Sequence, residues 1–161
     1  MGFINNKPSL VTFYNREGSV LIEEITLIAV LAETNGVLAV GKEVIEAKSK
    51  MESVDGVLLG SPLKNGLVID FDLTRMIFRY FFLKAKLTKF FNFLRSSVAV
   101  CIPVDLTWKE QAALKKLLHN AGAKKGELLI VKSSYEEAVN RRSISDKYKI
   151  IIEILPDAEA P

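Results

Sequence analysis

Asp70 and Asp72 stand two residues apart, a spacing that could bring two carboxylates to a metal ion or to acid–base work. An apolar run with helical spacing follows them, so the expectation is structural: a turn residue at Asp70 and a helix N-cap at Asp72. His119 falls at the end of an amphipathic stretch, where a cationic side chain suits the helix dipole. No nucleophile stands in a pattern that would make it a catalytic base. Cys101 lies mid-strand between apolar residues and reads as a small core residue. Glu136 and Glu137 open a helix, where negative charge is favoured. One cysteine and one histidine supply no structural zinc cluster. No catalytic residue, cofactor site or metal-ligand set is expected.

The stretch from Lys84 to Arg95 has a different character. Lys84, Lys86, Lys89 and Arg95 interleave with Phe90, Phe91, Phe93 and Leu94. One reading is a helix C-terminus, with cations on the last turn and aromatics folded into the core. The other is a membrane-surface patch, with aromatics in the interface and cations on anionic headgroups. Both remain open at this point. A nucleic-acid reading is disfavoured, because no fold motif for it accompanies the patch.

The elements that must position these residues follow from hydrophobic patterning. The 161 residues are 49% hydrophobic and 25% charged, with a net charge of +3. That is one domain with enough apolar content for a core, and too weakly basic to imply nucleic acid. A single cysteine excludes an intrachain disulfide. The apolar runs are too short to span a bilayer, and the first residues lack the pattern of a signal peptide, so a cytoplasmic location is expected. Leu10–Tyr14 and Ser19–Ile22 read as a hairpin across Asn15-Arg16-Glu17-Gly18. Ile25–Leu31 reads as a buried strand and Val37–Val40 as a short one. Glu43–Lys50 reads as a short helix, and Met51–Gly66, with its glycines and proline, as loop. Leu67–Ile69 leads into a helix from Asp72 to about Lys86, with Leu73, Met76, Ile77, Tyr80 and Phe81 as its apolar stripe. Val98–Ile102 is a buried strand. Thr107-Trp108-Lys109-Glu110 is a capping box opening a helix that Gly122 ends. Leu128–Val131 is a strand, Ser133-Ser134-Tyr135-Glu136 a second capping-box pattern, and Lys149–Ile154 a last strand. The fold class expected is α/β, a mixed five-stranded sheet flanked by helices. One domain covers 1–155, with a small insertion at about 33–66 and a flexible tail at 156–161.

Several segments resemble the bacterial actin-like, MreB family. Gly18-Ser19-Val20-Leu21-Ile22-Glu23-Glu24 is similar to the family's second strand and following turn. Val37-Leu38-Ala39-Val40-Gly41-Lys42-Glu43-Val44 resembles its stretch leading into a helix. Leu63 to Thr74 resembles its P-x-K-x-G-V-I-x-D-F-x-x-T segment. Val100-Cys101-Ile102-Pro103-Val104 with Thr107 and Glu110 resembles V-x-V-P-x-x-x-T-x-x-E, and Ala121-Gly122-Ala123 falls at the family's A-G-A. The match is collinear from about Leu10 to Val139. The resemblance implies the first lobe of an actin-like, ribonuclease-H-like fold, with its small inserted subdomain. It also implies a hydrophobic membrane-insertion loop at about the place of Lys84–Arg95.

Departures from the pattern set the functional expectation. Where the family has a phosphate loop of the type Asp-Leu-Gly-Thr, this sequence has Asn5-Asn6-Lys7-Pro8, with neither acid nor glycine. Where the family has a catalytic glutamate in Glu-Glu-Pro, it has Lys132-Ser133-Ser134. Where a glycine-rich second phosphate loop would follow the last strand, it has Glu153-Ile154-Leu155-Pro156-Asp157. The resemblance reaches no adenosine-binding second lobe. The expectation is a non-catalytic lobe without cofactor, acting as a binding or scaffold module in cell shape or division. Its partners would be an actin-like filament, cell-shape proteins, an anionic membrane surface at the inner face, or further copies of itself. The alternative is a metal- or nucleotide-dependent enzyme of the same superfold acting as a dimer, with Asp70, Asp72 or Glu153 converging on a metal.

Overall fold

The computed structural model describes residues 7–52, 54–86 and 96–156. Along the chain run β1 (Leu10–Asn15), β2 (Val20–Ile25), β3 (Ile28–Leu31), β4 (Val37–Val40), α1 (Lys42–Glu46), α2 (Lys48–Glu52), β5 (Val57–Gly60), β6 (Leu63–Lys64) and β7 (Leu67–Val68). Then come α3 (Phe71–Lys86), β8 (Ser96–Cys101), α4 (Trp108–Ala121), β9 (Ala123–Val131), α5 (Tyr135–Asn140) and β10 (Ile150–Leu155). A five-stranded sheet has the order β2-β1-β10-β8-β9. β10 is antiparallel to β1 and parallel to β8, and β8 is parallel to β9. The sheet is mixed, as the patterning predicts.

Period-two alternation assigns its two faces. Val11 and Phe13 of β1, Val98 and Val100 of β8, and Ile150, Ile152 and Ile154 of β10 join one core with α3 and α4. Ala99, Cys101 and Ile151 point the other way, into a smaller core with Ala138 of α5 and Tyr148. Phe13 meets the edges of Phe81 and Phe82 from α3, with ring centroids 6.4 and 5.1 Å apart. Such pairs add about 0.5–1.5 kcal/mol beyond the area they bury. The buried face of α3 carries Leu73, Ile77, Phe78, Phe81, Phe82 and Ala85, whereas Met76 is exposed. The expected stripe is therefore rotated: Met76 lies outside it, and Phe78 and Phe82 belong to it.

A second, three-stranded sheet has the order β4-β3-β5, and β6 and β7 form a hairpin of their own. Residues 33–66 hold β4, α1, α2, β5 and β6, while β3, upstream of them, joins the same small sheet. The seam between the sheets is a run of buried hydroxyls. Thr26 Oγ1 accepts from the Ser9 N–H at 2.8 Å and lies 2.8 Å from Ser61 Oγ, which donates to the Leu63 carbonyl. The Thr26 N–H still donates to the Ser9 carbonyl at 3.0 Å, but the returning Ser9 N–H goes to the Thr26 side chain instead of its carbonyl. The single strand expected over Ile25–Leu31 accordingly divides, with Ile25 ending β2 and Ile28 beginning β3.

The remaining differences from expectation are local. The stretch read as loop over Met51–Gly66 contains β5 and β6. The run Val57-Leu58-Leu59 between glycines is too short to show a period, and it becomes a strand by pairing with β3. The helix expected over Glu43–Lys50 is two short helices, α1 ending at its C-cap Ala47. The α3 cap is Asp70, whose Oδ1 accepts from the Leu73 N–H at 2.9 Å; Asp72 sits inside the first turn. In the second capping pattern the cap is Ser134, bonded to the Glu137 N–H, instead of Ser133. The Thr107–Glu110 capping box is present with both its bonds.

Candidate functional site

Three places in the chain bear on whether nucleotide chemistry has residues to work with. Asn5 and Asn6 lie outside the described residues. Lys132-Ser133-Ser134 leads from β9 into α5, and every member is occupied. Lys132 Nζ is 2.7 Å from Asp105 Oδ1, the Ser133 hydroxyl donates to the Ser134 carbonyl, and the Ser134 hydroxyl caps α5. No carboxylate of this segment stands free to position water.

Glu153 is the third place. It sits on β10 with 8% of its surface exposed, and its Oε2 accepts from the Tyr135 N–H at 2.7 Å. The acceptor therefore neutralises an orphan donor at the start of α5. The Tyr135 ring stacks on Tyr14 at 3.6 Å. Cys101, the register partner of Glu153 on β8, is fully buried. Burial, reinforced by the charge of Glu153, pushes its thiol up to about 12. Such a thiol stays protonated and is a poor nucleophile, which agrees with the core role read from the sequence.

The other candidates are dispersed. Asp70 caps α3, and Asp72, 81% exposed, lies 3.8 Å from Arg75. Glu153 belongs to the sheet face that packs α5. Among the described residues no group of three or more His, Cys, Asp or Glu lies close enough to hold a metal ion. His119 Nδ1 is 3.1 Å from the Ala123 carbonyl, at the end of α4. A depression of about 460 Å³ opens beside the β1–β2 turn and α5, floored by Tyr148 and Ile151. Its charged rim pairs Arg16 and Arg142 with Glu17 and Asp146, so no net charge selects a ligand.

Of the basic–aromatic segment, Lys84 is described in full and Lys86 closes α3. Lys89, Phe90, Phe91, Phe93, Leu94 and Arg95 lie outside the described residues. Lys84 Nζ is 3.0 Å from Glu24 Oε2, and the Glu24 side chain is 1% exposed. Glu24 Oε1 also accepts from the Lys42 N–H at 3.0 Å. Gly41 makes this possible: it has φ 70°, and a Cβ there would stand 2.7 Å from Glu24 Oε1. Next to it, Tyr80 of α3 donates to Glu43 Oε1 of α1 at 2.7 Å. That bond, with burial second, raises the phenol to about 12. These contacts fasten the small subdomain to α3. The sequence offers one sign of the Glu24 clamp, a glycine directly before a helix, and it is too common to identify the partner.

Sequence reasoning also passed over the surface of α4, where Trp108 is 75% exposed. The signal is helical spacing, which sets Trp108 with Ala112 and Lys115 on the side opposite Leu114, Leu117, Leu118 and Ala121.

The comparisons with known proteins agree with this geometry. Residues 8–139 match the family model described as MreB/Mbl protein. The chain is 30% identical over 106 residues to the cell shape-determining protein Mbl of Bacillus cereus, covering 65% of this chain and 30% of that protein. It is 30% identical over 123 residues to the cell shape-determining protein MreB of Haemophilus influenzae, covering 72% of this chain and 33% of that protein. Among solved structures, MreB5 of Spiroplasma citri bound to ADP superposes with a TM-score of 0.64 at 21% identity, over 81% of this chain and 37% of that one. The same protein bound to AMPPNP gives 0.64 at 22% identity, over 85% and 39%. The chain thus spans about a third of the length of the curated relatives it matches. Its fold is the actin-like α/β fold of these neighbours, and the chain belongs to the MreB/Mbl family.

Proposed function

We propose that this lobe is a non-catalytic member of its family that works by contact, as a binding or scaffold module in bacterial cell shape or division. The observation that supports this is the occupation of the would-be catalytic positions. Lys132 is paired with Asp105, Ser134 caps α5, and the Glu153 carboxylate is taken by the Tyr135 N–H. Groups already satisfied in this way are unavailable to order water or a metal-bound phosphate without breaking the start of α5. The module would cap, enter or scaffold a polymer formed by a longer relative, or associate with further copies of itself. The basic–aromatic segment from Lys84 to Arg95 would supply a contact with the anionic inner face of the membrane. No helix among the described residues is long and apolar enough to cross a membrane, so a peripheral contact is the form this would take. The alternative, a metal- or nucleotide-dependent enzyme acting as a dimer, needs Asp70, Asp72 or Glu153 to converge on a metal, and among the described residues no group of three or more His, Cys, Asp or Glu lies close enough to hold one.

The test is the thermal midpoint of the purified chain with and without Mg-ATP, Mg-ADP and Mg-GTP at millimolar concentration. A ligand that binds the folded state raises the midpoint by mass action. No shift is expected, together with altered assembly of a full-length MreB when this chain is added. A clear shift would overturn the non-catalytic reading, and unchanged assembly would overturn the scaffold reading.

A further inference from the structure

The depression of about 460 Å³ beside α5 falls within the range of small-ligand sites, roughly 300–1,000 Å³. Its floor of Tyr148 and Ile151 is extended by Val139 of α5 and by Ile144. Val139 is 47% exposed, so the rest of the chain does not cover this lining. Two segments ordered by backbone bonds carry the charges of the rim. The β1–β2 turn brings Arg16 and Glu17; the Gly18 N–H donates to the Asn15 carbonyl at 3.1 Å, and the Ser19 N–H to Asn15 Oδ1 at 2.8 Å. The stretch after α5 brings Arg142 and Asp146, and its Ser143 N–H donates to the Ala138 carbonyl at 2.9 Å. All four charged side chains are exposed, and among the described residues none of them makes an ion pair. Tyr135 adds a hydroxyl without a hydrogen-bond partner among the described residues, and a Cβ on Gly18 would stand 3.2 Å from it. Stacking on Tyr14 fixes the Tyr135 ring. Burial raises its phenol above the ordinary value, so the hydroxyl keeps its proton at neutral pH and can donate.

We infer that this depression binds a short apolar peptide with both termini free, its carboxylate at Arg16 and Arg142, its ammonium at Glu17 and Asp146, and its side chains on Tyr148, Ile151 and Val139. Three physical arguments favour this class of ligand. Cations and anions in equal number attract and repel a simple ion alike, so a phosphate or a lone cation gains little from the rim. A ligand with one charge of each sign uses all four groups, and the Tyr135 hydroxyl can add a donor for its carboxylate. The apolar floor asks for a body that leaves water on binding, which a polar zwitterion lacks. The walls are the β1–β2 turn, the stretch after α5 and α5 itself, and they bound a basin suited to a short molecule more than to a chain passing through. Because the charges are free and their backbone is already ordered, little ordering is lost on binding. The inference goes beyond the function proposed above, since it uses neither a polymer contact nor the segment from Lys84 to Arg95.

The full chain is titrated by calorimetry with leucyl-leucine and with three blocked forms of it: N-acetylated, amidated, and blocked at both ends. The free dipeptide is expected to bind at millimolar concentration or below. Each single block should weaken binding about fivefold, the upper worth of an exposed charge pair, and the double block should remove the heat of binding. Arg16→Gln combined with Arg142→Asn should weaken the free dipeptide about fivefold and leave the amidated form, which has no carboxylate, unchanged. Asn is chosen because position 142 has φ 53°, which Asn tolerates. Glu17→Gln combined with Asp146→Asn should weaken the free dipeptide by a similar factor and leave the N-acetylated form unchanged. All four positions are exposed, and the thermal midpoint without ligand checks that the variants fold. Equal binding of the doubly blocked form would overturn the inference in favour of an internal segment of a partner protein. Binding that neither pair of substitutions alters would place the peptide elsewhere and overturn it too, as would the absence of heat with every form. None of these results bears on nucleotide binding or on the assembly of a longer relative, so the scaffold reading keeps its own test.

Discussion

Glu24 and Glu153 are both buried carboxylates of the large sheet, and they face opposite ways. Glu24 stands opposite Val11, on the side packed by α3 and α4. Glu153 lies between Ile152 and Ile154, which belong to that side, and so points towards α5. Glu24 has a cation, Lys84, and a backbone N–H from Lys42, both distant in sequence. Glu153 has a backbone N–H at a helix start. The first carboxylate joins three elements, and the second caps one. Both oxygens of Glu24 have partners, and Oε2 of Glu153 has one.

Removing the acid altogether separates the two most strongly. Glu24→Ala leaves the Lys42 N–H without its acceptor and the Lys84 ammonium without its counter-charge. A broken buried pair costs about 3–5 kcal/mol. Lys84 is 44% exposed and keeps some water, so a loss of about 3 kcal/mol in urea unfolding is expected. Glu153→Ala should cost less, about 1–2 kcal/mol, the penalty for one unsatisfied N–H. The isosteric amides sharpen the contrast. Glu24→Gln should still lose about 1–2 kcal/mol because a cation faces it, whereas Glu153→Gln should stay within about 0.5 kcal/mol of the parent. Equal losses for the two amides would remove the distinction between clamp and cap.

Alkaline titration probes the same two sides through other groups. Cys101, beside Glu153, holds its proton up to about 12 in the fold, against 9.0 as the ordinary value. Tyr80, beside Glu24, is likewise raised to about 12 from 10.0. Each folded pKa is higher than the unfolded one, so each contribution is fully present below the unfolded value and is lost as pH rises through the folded one. The urea midpoint should be flat below pH 9, fall from pH 9 upward through Cys101, and fall more steeply above pH 10 as Tyr80 joins. Cys101→Ala should remove the earlier part of that decline and Tyr80→Phe a share of the later part, to which Tyr14 and Tyr135, both raised by burial, also contribute. At neutral pH Tyr80→Phe should cost about 0.5–1 kcal/mol, for one lost hydrogen bond at the surface.

The parts of the fold legible in the sequence were those whose signal is local. The capping box at Thr107, the stop at Gly122 and the isoleucine-rich strand ending at Ile154 each depend on neighbours a few residues away, and each stands where expected. The parts that were not legible depend on distant partners. Val57–Leu59 becomes a strand only because β3 is beside it. Thr26 breaks a strand only because Ser9 and Ser61 reach it across 17 and 35 residues. Of the candidate site, the departures from the family's phosphate-loop pattern are a matter of sequence alone. The engagement of Lys84 by Glu24, 60 residues away, is not. The exposure of Trp108 was implicit in its helical spacing from Ala112 and Lys115, but an apolar residue in a helix is more often taken for core.

The position of β10 has a consequence for how the chain is made. Leu10 pairs with Leu155 and Asn15 with Ile150, and β10 alone connects β1 to β8. During synthesis the first hairpin therefore waits, with one edge open, until nearly all of the residues up to 155 have left the ribosome. Closing so long a loop is slow, and an unpaired edge is the surface on which chains misassociate. The last gap in the sheet is filled by Ile150, Ile151 and Ile152, among the most β-prone residues available. Such a strand competes well for its slot once it appears, and also for the open hairpin of another nascent chain.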